Sequence, residues 1–233
     1  LQTDFDIVKR TFDIFVSLAG LIAVSPLLLL TGLLVKLTST GPILFVQTRI
    51  GRGLIPFALL KFRTMVPEAP KIGRLITVGE DPRITWIGRI LRKTKIDELP
   101  QLLNVLKGDM SFVGPRPEVA KYVEMFRQDF QEILRVRPGI TDLASIKFRD
   151  EASLLAKADD PERHYIERIL PEKIRLAKEY VRQQSLWLDI KIILLTLWSL
   201  VADRLAHRSE EPAVRPILAS VQSTHNSPKA DNQ

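Results

Sequence analysis

The residues best suited to chemistry lie in KTKIDELPQLLNVLKG, where Asp97 and Glu98 stand side by side between a cationic run and an apolar helix. Arg89, Arg92, Lys93 and Lys95 lie just upstream. Cations this close favour the ionised form of both carboxylates and attract a phosphorylated ligand. An ionised aspartate at a helix start, with a metal to screen it, can attack a phosphorus centre and form an aspartyl-phosphate type of intermediate. A structural role competes with this chemistry. Aspartate is a preferred N-cap, acidic side chains favour the positive end of the helix dipole, and Thr94 with Asp97 reads as a loose capping box.

Further cations recur where the backbone is stiff. Lys61 and Arg63 in LLKFRTM are two apart, hence on one face of a strand. Arg116 stands between two prolines in Gly114-Pro115-Arg116-Pro117, and Arg137 precedes Pro138-Gly139, a pattern that predicts a type II turn. The arginine fork suits paired contacts to phosphate oxygens. Each cation alone is compatible with a solvated surface charge; together, beside rigid backbone, they suggest a phosphate-binding surface.

Composition narrows the partners. The 233 residues carry a formal net charge of +7, which favours phosphates, as nucleic acid, nucleotides or an anionic membrane surface. No recognisable nucleic-acid motif or interleaved aromatic-basic patch is present, so nucleic acid is not expected. The absence of cysteine excludes disulfides, thiol nucleophiles and thiolate metal sites. His164, His207 and His225 do not cluster, so a metal would be a hard ion on carboxylates, such as Mg²⁺.

The elements that must position these groups follow from the patterning. Residues 14–35 carry no charge and as a helix would reach about 33 Å, enough to span a bilayer core. Ser25-Pro26 falls mid-run, where proline kinks or breaks a helix. Lys9 and Arg10 before it and Lys36 after it favour the cytoplasmic side for both ends. A helix–break–helix that re-enters one leaflet and a kinked spanning helix both satisfy the pattern. From Gly41 the composition is that of a soluble domain. ILFVQTRIGRGLIPFALLKFRTM predicts a β-hairpin around Gly51-Arg52-Gly53, and residues 67–83 predict a loop. Leu99, Leu102, Leu103 and Leu106 predict an amphipathic helix that starts near Asp97, with Pro100 in its first turn and Gly108 as its C-cap. Pro171 predicts the start of a charged helix to about Gln184. The helix over about 186–205 places Ile190, Ile193, Leu194, Leu197, Trp198 and Val201 on one stripe. It fits a core helix or one lying in the membrane interface on Trp187 and Trp198. Residues 207–233 lack periodicity and predict a disordered tail. The expectation is a mainly α protein with a small β-hairpin (α+β): an anchor at 1–40, a catalytic domain at 41–206 and the tail.

With KFRTM before it and VRPGIT after it, KTKIDELPQLLNVLKGDMSFVGPRP closely resembles the bacterial monotopic phosphoglycosyl transferases, the bacterial sugar transferase family, from about Lys9 to about Leu200. The resemblance implies transfer of a phosphosugar from a UDP-sugar to polyprenyl phosphate, with release of UMP. It implies Asp97 as nucleophile, Glu98 as its partner in holding Mg²⁺ or assisting the acceptor, and substrate contacts at Lys61, Arg63, Arg116, Arg137, Arg149 and Asp189. It also implies that Ser25-Pro26 breaks a re-entrant anchor at the inner membrane, with the site on the cytoplasmic face, and it allows a homodimer. One departure stands out: Asp142 and Ser145 replace a glycine and a glutamine of many members, at positions tied to sugar or nucleotide contacts. The rival from another class is a membrane-anchored basic scaffold, or an inactive member, that binds acidic lipid or a protein partner.

Overall fold

In the computed structural model, which describes residues 2–69 and 76–206, the apolar N-terminal run forms one helix, α1 (Gln2–Thr38). The expected helix–break–helix is not confirmed: helical structure continues through Pro26. Pro26 has no N–H to give the Ile22 carbonyl, and the Ser25 hydroxyl donates to that carbonyl instead, at 2.8 Å. A carbonyl left bare in an apolar medium would cost several kcal/mol, so the serine lets the proline be absorbed. Among the described residues α1 is the one helix long and apolar enough to cross a membrane.

The faces of α1 differ. Lys9, Asp13 and Ser17, four residues apart, are buried, whereas Phe15, Leu18, Ile22, Leu29, Leu33 and Leu37 are exposed. Towards its C-terminal end Val35 is buried with Phe62, Ile87 and Leu91. The predicted hairpin follows as β1 (Leu44–Ile50) and β2 (Pro56–Phe62), antiparallel from Leu44↔Phe62 to Ile50↔Pro56.

Next, α2 (Trp86–Thr94) is capped by Thr85, whose hydroxyl accepts from Gly88 N at 3.0 Å, and ends at Lys95, held at φ 59°. The helix expected to start at Asp97 starts later. Ile96–Glu98 is a 3₁₀ turn, and α3 (Gln101–Lys107) ends as predicted at Gly108, φ 95°. Before α3 the bonds are of the 3₁₀ type: Leu99, Leu102 and Leu103 bond three residues back, to Ile96, Leu99 and Pro100. Thr94 caps nothing there, its hydroxyl bonding back to Ile90 and Leu91 within α2.

Patterning missed a second sheet. β3 (Ser111–Val113) pairs in parallel with β4 (Gly139–Thr141), so Pro138-Gly139 enters a strand rather than a type II turn. Gly139 N donates to Pro115 O at 3.0 Å and Gly114 N to Thr141 O at 3.2 Å. The backbones cross so closely that a Cβ on Gly139 would lie 2.2 Å from Gly114 N.

The remaining helices are α4 (Ala120–Met125), α5 (Arg127–Ile133), α6 (Leu143–Lys147), α7 (Glu151–Ala156), α8 (Pro161–His164), α9 (Leu170–Gln183) and α10 (Leu186–Ala206). As expected, Pro171 stands in the first turn of α9, which runs to Gln183, although this helix continues an earlier helical run. The helical run starts at Pro161 behind the Asp160 cap, and a π-helical stretch, Tyr165–Ile169, joins α8 to α9. The largest core cluster gathers Tyr122, Phe130, Leu134, Leu155, Tyr165 and Leu170 from these helices.

The chain divides into two compact units, Leu1–Thr196 and Leu197–Gln233. In the first, α10 buries Ile192 with Val113 and Tyr180 and exposes Trp187, Ile190 and Leu194. In the second, Leu197 and Trp198 are exposed. The expected tail, 207–233, lies outside the described residues.

Candidate active site

Asp97 and Glu98 share one 3₁₀ turn, and successive side chains there point about 120° apart. Their surroundings differ accordingly. Glu98 Oε1 accepts from Lys61 Nζ at the end of β2 and from Arg116 Nη2 in the loop after β3, both at 2.8 Å. Burial would push the Glu98 carboxyl up, but Arg116, then Lys61 and Lys95, hold it well below the usual carboxylate range. Lys61 is pushed down by burial against the pull of Glu98, and Arg116 is raised by Glu98.

Asp97 is 6% exposed, and its Oδ1 is buried with no hydrogen-bond partner among the described residues. Burial, then the Glu98 charge, pushes its carboxyl up; Lys61, Lys95 and Arg92 offset part of this. The upstream cations therefore do not act alike on the two carboxylates: they hold Glu98 low but only offset the upward push on Asp97. Arg92 is committed elsewhere, donating from Nε to Thr64 Oγ1 at 2.9 Å and from Nη1 to Thr77 Oγ1 at 3.1 Å. No bond from Asp97 to a helix N–H is formed among the described residues, so it is not an N-cap.

Of the expected substrate contacts, Lys61 and Arg116 meet Glu98. Arg63 is buried under the end of α1, where it donates to the carbonyls of Ser39 at 2.8 Å and Val35 at 3.4 Å and to that of Pro42. Arg137 Nε donates to Gly108 O at 2.8 Å; together with Arg10, which donates to the Val105 and Leu106 carbonyls, it neutralises the C-terminal end of α3. Asp189 is buried in a pair with Lys9 and accepts from the Tyr180 hydroxyl at 2.7 Å. Arg149 lies between α6 and α7. Ser25 and Pro26 are interior to α1.

Three residues that sequence reasoning passed over, or met only as a departure, hold the Arg116 loop. Arg49 donates to the Pro117 carbonyl at 3.1 Å and to Glu118 at 3.3 Å, and Glu118 also accepts from the Tyr165 hydroxyl at 2.7 Å. Asp142 caps α6 by accepting from Ser145 N at 2.6 Å, and its other oxygen accepts from Arg116 N at 3.3 Å. Asp142 was visible as an anomaly, whereas Arg49 and Glu118 carried no signal without the fold. The cluster offers a buried, unpartnered carboxylate oxygen beside a clamped carboxylate and an arginine with donors to spare. Such a site can take up a phosphoryl group.

The family model for bacterial sugar transferase matches residues 5–203. The chain is 39% identical over 193 residues to a UDP-N-acetylgalactosamine-undecaprenyl-phosphate N-acetylgalactosaminephosphotransferase of Aeromonas hydrophila, covering 82% of this chain and 43% of that protein. It is 38% identical over 206 residues to a UDP-glucose:undecaprenyl-phosphate glucose-1-phosphate transferase of Escherichia coli (strain K12), covering 86% and 42%. An exopolysaccharide production protein PSS of Rhizobium leguminosarum bv. phaseoli matches at 40% over 202 residues, covering 83% and 94%. The chain thus spans about two fifths of the length of the first two relatives and nearly all of the third.

Proposed function

The chain belongs to the bacterial sugar transferase family, and from that premise we propose that it transfers a sugar 1-phosphate from a UDP-sugar to polyprenyl phosphate. The product is a polyprenyl diphosphosugar, as in a first membrane step of glycoconjugate or exopolysaccharide synthesis. The names of the relatives support the donor and acceptor classes. The observation that carries the mechanism is the unpartnered, buried Asp97 Oδ1 beside a Glu98 clamped by Lys61 and Arg116.

An Asp97 carboxylate oxygen attacks the β-phosphorus of the donor. The bond from that phosphorus to the bridging oxygen breaks, and UMP leaves with the oxygen and its electron pair. An oxygen of the lipid phosphate then attacks the phosphosugar-enzyme, and the acyl-phosphate bond breaks to restore the Asp97 carboxylate. A carboxyl raised above its ordinary value is a more basic, hence more nucleophilic, anion once ionised. Arg116, with Nη2 on Glu98, still has donors to meet the donor phosphates.

Mg²⁺ fits these residues. Its usual sites combine one or two carboxylates with substrate phosphates, and the orphaned Asp97 oxygen beside Glu98 provides that set. Asp97 and Glu98 would hold the ion, and when bound it supplies the positive charge that favours the ionised Asp97 and screens the donor phosphates.

The membrane reading is monotopic, with the site on the cytoplasmic face of the inner membrane. Polar groups of the same unit hold both ends of α1: Asp189 and the end of α3 meet Lys9 and Arg10, and Arg63 meets Val35 and Ser39. A spanning α1 would pull these buried contacts to opposite sides of a bilayer. The test is incubation with a panel of UDP-sugars and Mg²⁺, with and without polyprenyl phosphate. UMP release and a phosphosugar adduct on Asp97, seen by mass spectrometry with donor alone, are expected. Release of UMP without any adduct would overturn the covalent route, and no release from any donor would overturn the reading.

A further inference from the structure

The anchor helix is wired to the strand that delivers Arg116. Asp13 on α1 is 1% exposed, and its Oδ1 accepts two bonds from β3, from Ser111 Oγ and from Phe112 N, each 3.1 Å. One turn earlier, Lys9 Nζ donates to the Val113 carbonyl at 3.1 Å while it pairs with Asp189. All three residues of β3 are therefore held from α1. The strand runs straight into Gly114-Pro115-Arg116-Pro117, where the glycine crossing and two fixed proline φ angles leave little slack. Arg116 then meets Glu98. A buried carboxylate is costly unless it is bonded, and the mechanism above makes no use of Asp13.

We propose that Asp13 is a positioning residue: by holding β3 from the anchor helix it sets where Arg116 stands against Glu98 and the donor phosphates. The proposal rests on the transferase reading. It makes the seating of α1 and the geometry of the donor site one mechanical unit. The charge of Asp13 is not what it uses. Both bonds end on one oxygen, so an amide oxygen can accept them equally well. Asparagine should restore what alanine removes.

The experiment compares Asp13→Ala, Asp13→Asn and Ser111→Ala in the full chain, and Asp13→Ala also in an Arg116→Ala background. UMP release from a UDP-sugar and amide hydrogen exchange over residues 111–118 are measured together. Asp13→Ala should lower kcat/KM about tenfold, since small misplacements of a binding group are costly, and should speed exchange over 111–118. Asp13→Asn should restore both. Ser111→Ala, which keeps the Phe112 bond, should show a smaller change in the same direction. In the Arg116→Ala background, Asp13→Ala should add less than about twofold, because a residue acting through Arg116 has nothing left to position.

A full multiplicative loss in that background, an asparagine variant as poor as alanine, or unchanged exchange would each overturn the proposal. Should Asp13→Ala not fold, the asparagine and Ser111→Ala variants decide: Ser111→Ala with wild-type exchange and kinetics overturns it. If the wild type releases UMP from no UDP-sugar, the transferase reading falls, while exchange over 111–118 still judges the clamp.

Discussion

Asp97→Asn separates chemistry from architecture most sharply. Asparagine matches the shape of aspartate and removes only the ionisable oxygen. In the folded chain burial, then the Glu98 charge, pushes the Asp97 carboxyl above its ordinary value. Below the unfolded value, roughly pH 3.9, both states keep the proton and the group costs nothing. As pH rises from there through the folded value, the unfolded chain gives up its proton first, and wild-type stability falls relative to asparagine. In metal-free buffer the variant should therefore match wild type near pH 4. At pH 7 it should be at least as stable, with a gain on the order of 1 kcal/mol. A true N-cap would behave otherwise, since Asp97→Ala would then cost about 1 kcal/mol relative to asparagine. Turnover should fall by about 10⁴-fold or more, the usual scale for loss of a nucleophile. Thermal unfolding from pH 4 to pH 8, beside UMP release, measures both. Activity within tenfold of wild type, or a destabilisation that grows with pH, would refute the reasoning.

Glu98→Gln should show the opposite pH dependence. Its carboxyl is held low by Arg116 and Lys61 against burial, so its contribution is present above the unfolded value, roughly 4.3, and is lost as pH falls through the folded value. About 2–4 kcal/mol of stability should be missing at pH 7, a gap that narrows in acid; denaturant titrations with a constant gap would contradict the pairing. Gly139→Ala should cost roughly 3 kcal/mol or more, because its Cβ would meet the Gly114 backbone, which cannot rotate aside; a melt within a degree or two of wild type would sink that account. The chain has no cysteine, so single cysteines before Lys9 and after Lys36 report topology cleanly. Both should react with an impermeant reagent only from the cytoplasmic side, and external labelling of the first would restore a spanning helix.

What could be read in advance was local. The hairpin and the Gly108 cap each follow from spacing within one segment, and each is in the structure; the leucine stripe does not hold, since α3 buries Gln101, Leu102, Asn104 and Val105 and leaves Leu103 exposed. The acidic pair was legible by type and neighbourhood, and Lys61 and Arg116 by their place beside stiff backbone. Arg63 and Arg137 looked like ligand contacts for the same reason, and Asp189 through the family resemblance, yet their partners lie in segments remote in sequence. Arg63 closes the end of α1 from 24 residues away, and Lys9 reaches Asp189 across 180. No periodicity encodes such pairings. The break expected at Pro26 is not seen for a related reason: proline forbids one donor but leaves the remedy open, and a serine hydroxyl supplies it there.

The same limit explains why the two adjacent carboxylates could not be told apart. Counting cations along the chain treats Asp97 and Glu98 alike. A 3₁₀ turn does not, since it aims neighbouring side chains about 120° apart. One of them meets Lys61 from β2 and Arg116 from the loop after β3; the other meets buried space. The division is useful for phosphoryl transfer. A carboxylate with one oxygen clamped by two cations is a poor nucleophile but holds those cations in place for a donor's phosphates. A carboxylate left without partners gains most when a cationic, phosphate-bearing ligand complex arrives. Pro100, which has no N–H where an Asp97 cap would find one, keeps Asp97 out of a capping role and free for that arrival. A Pro100→Ala chain whose helix extended back to Asp97 would bond this oxygen to a main-chain N–H, lower its basicity and slow the first half-reaction.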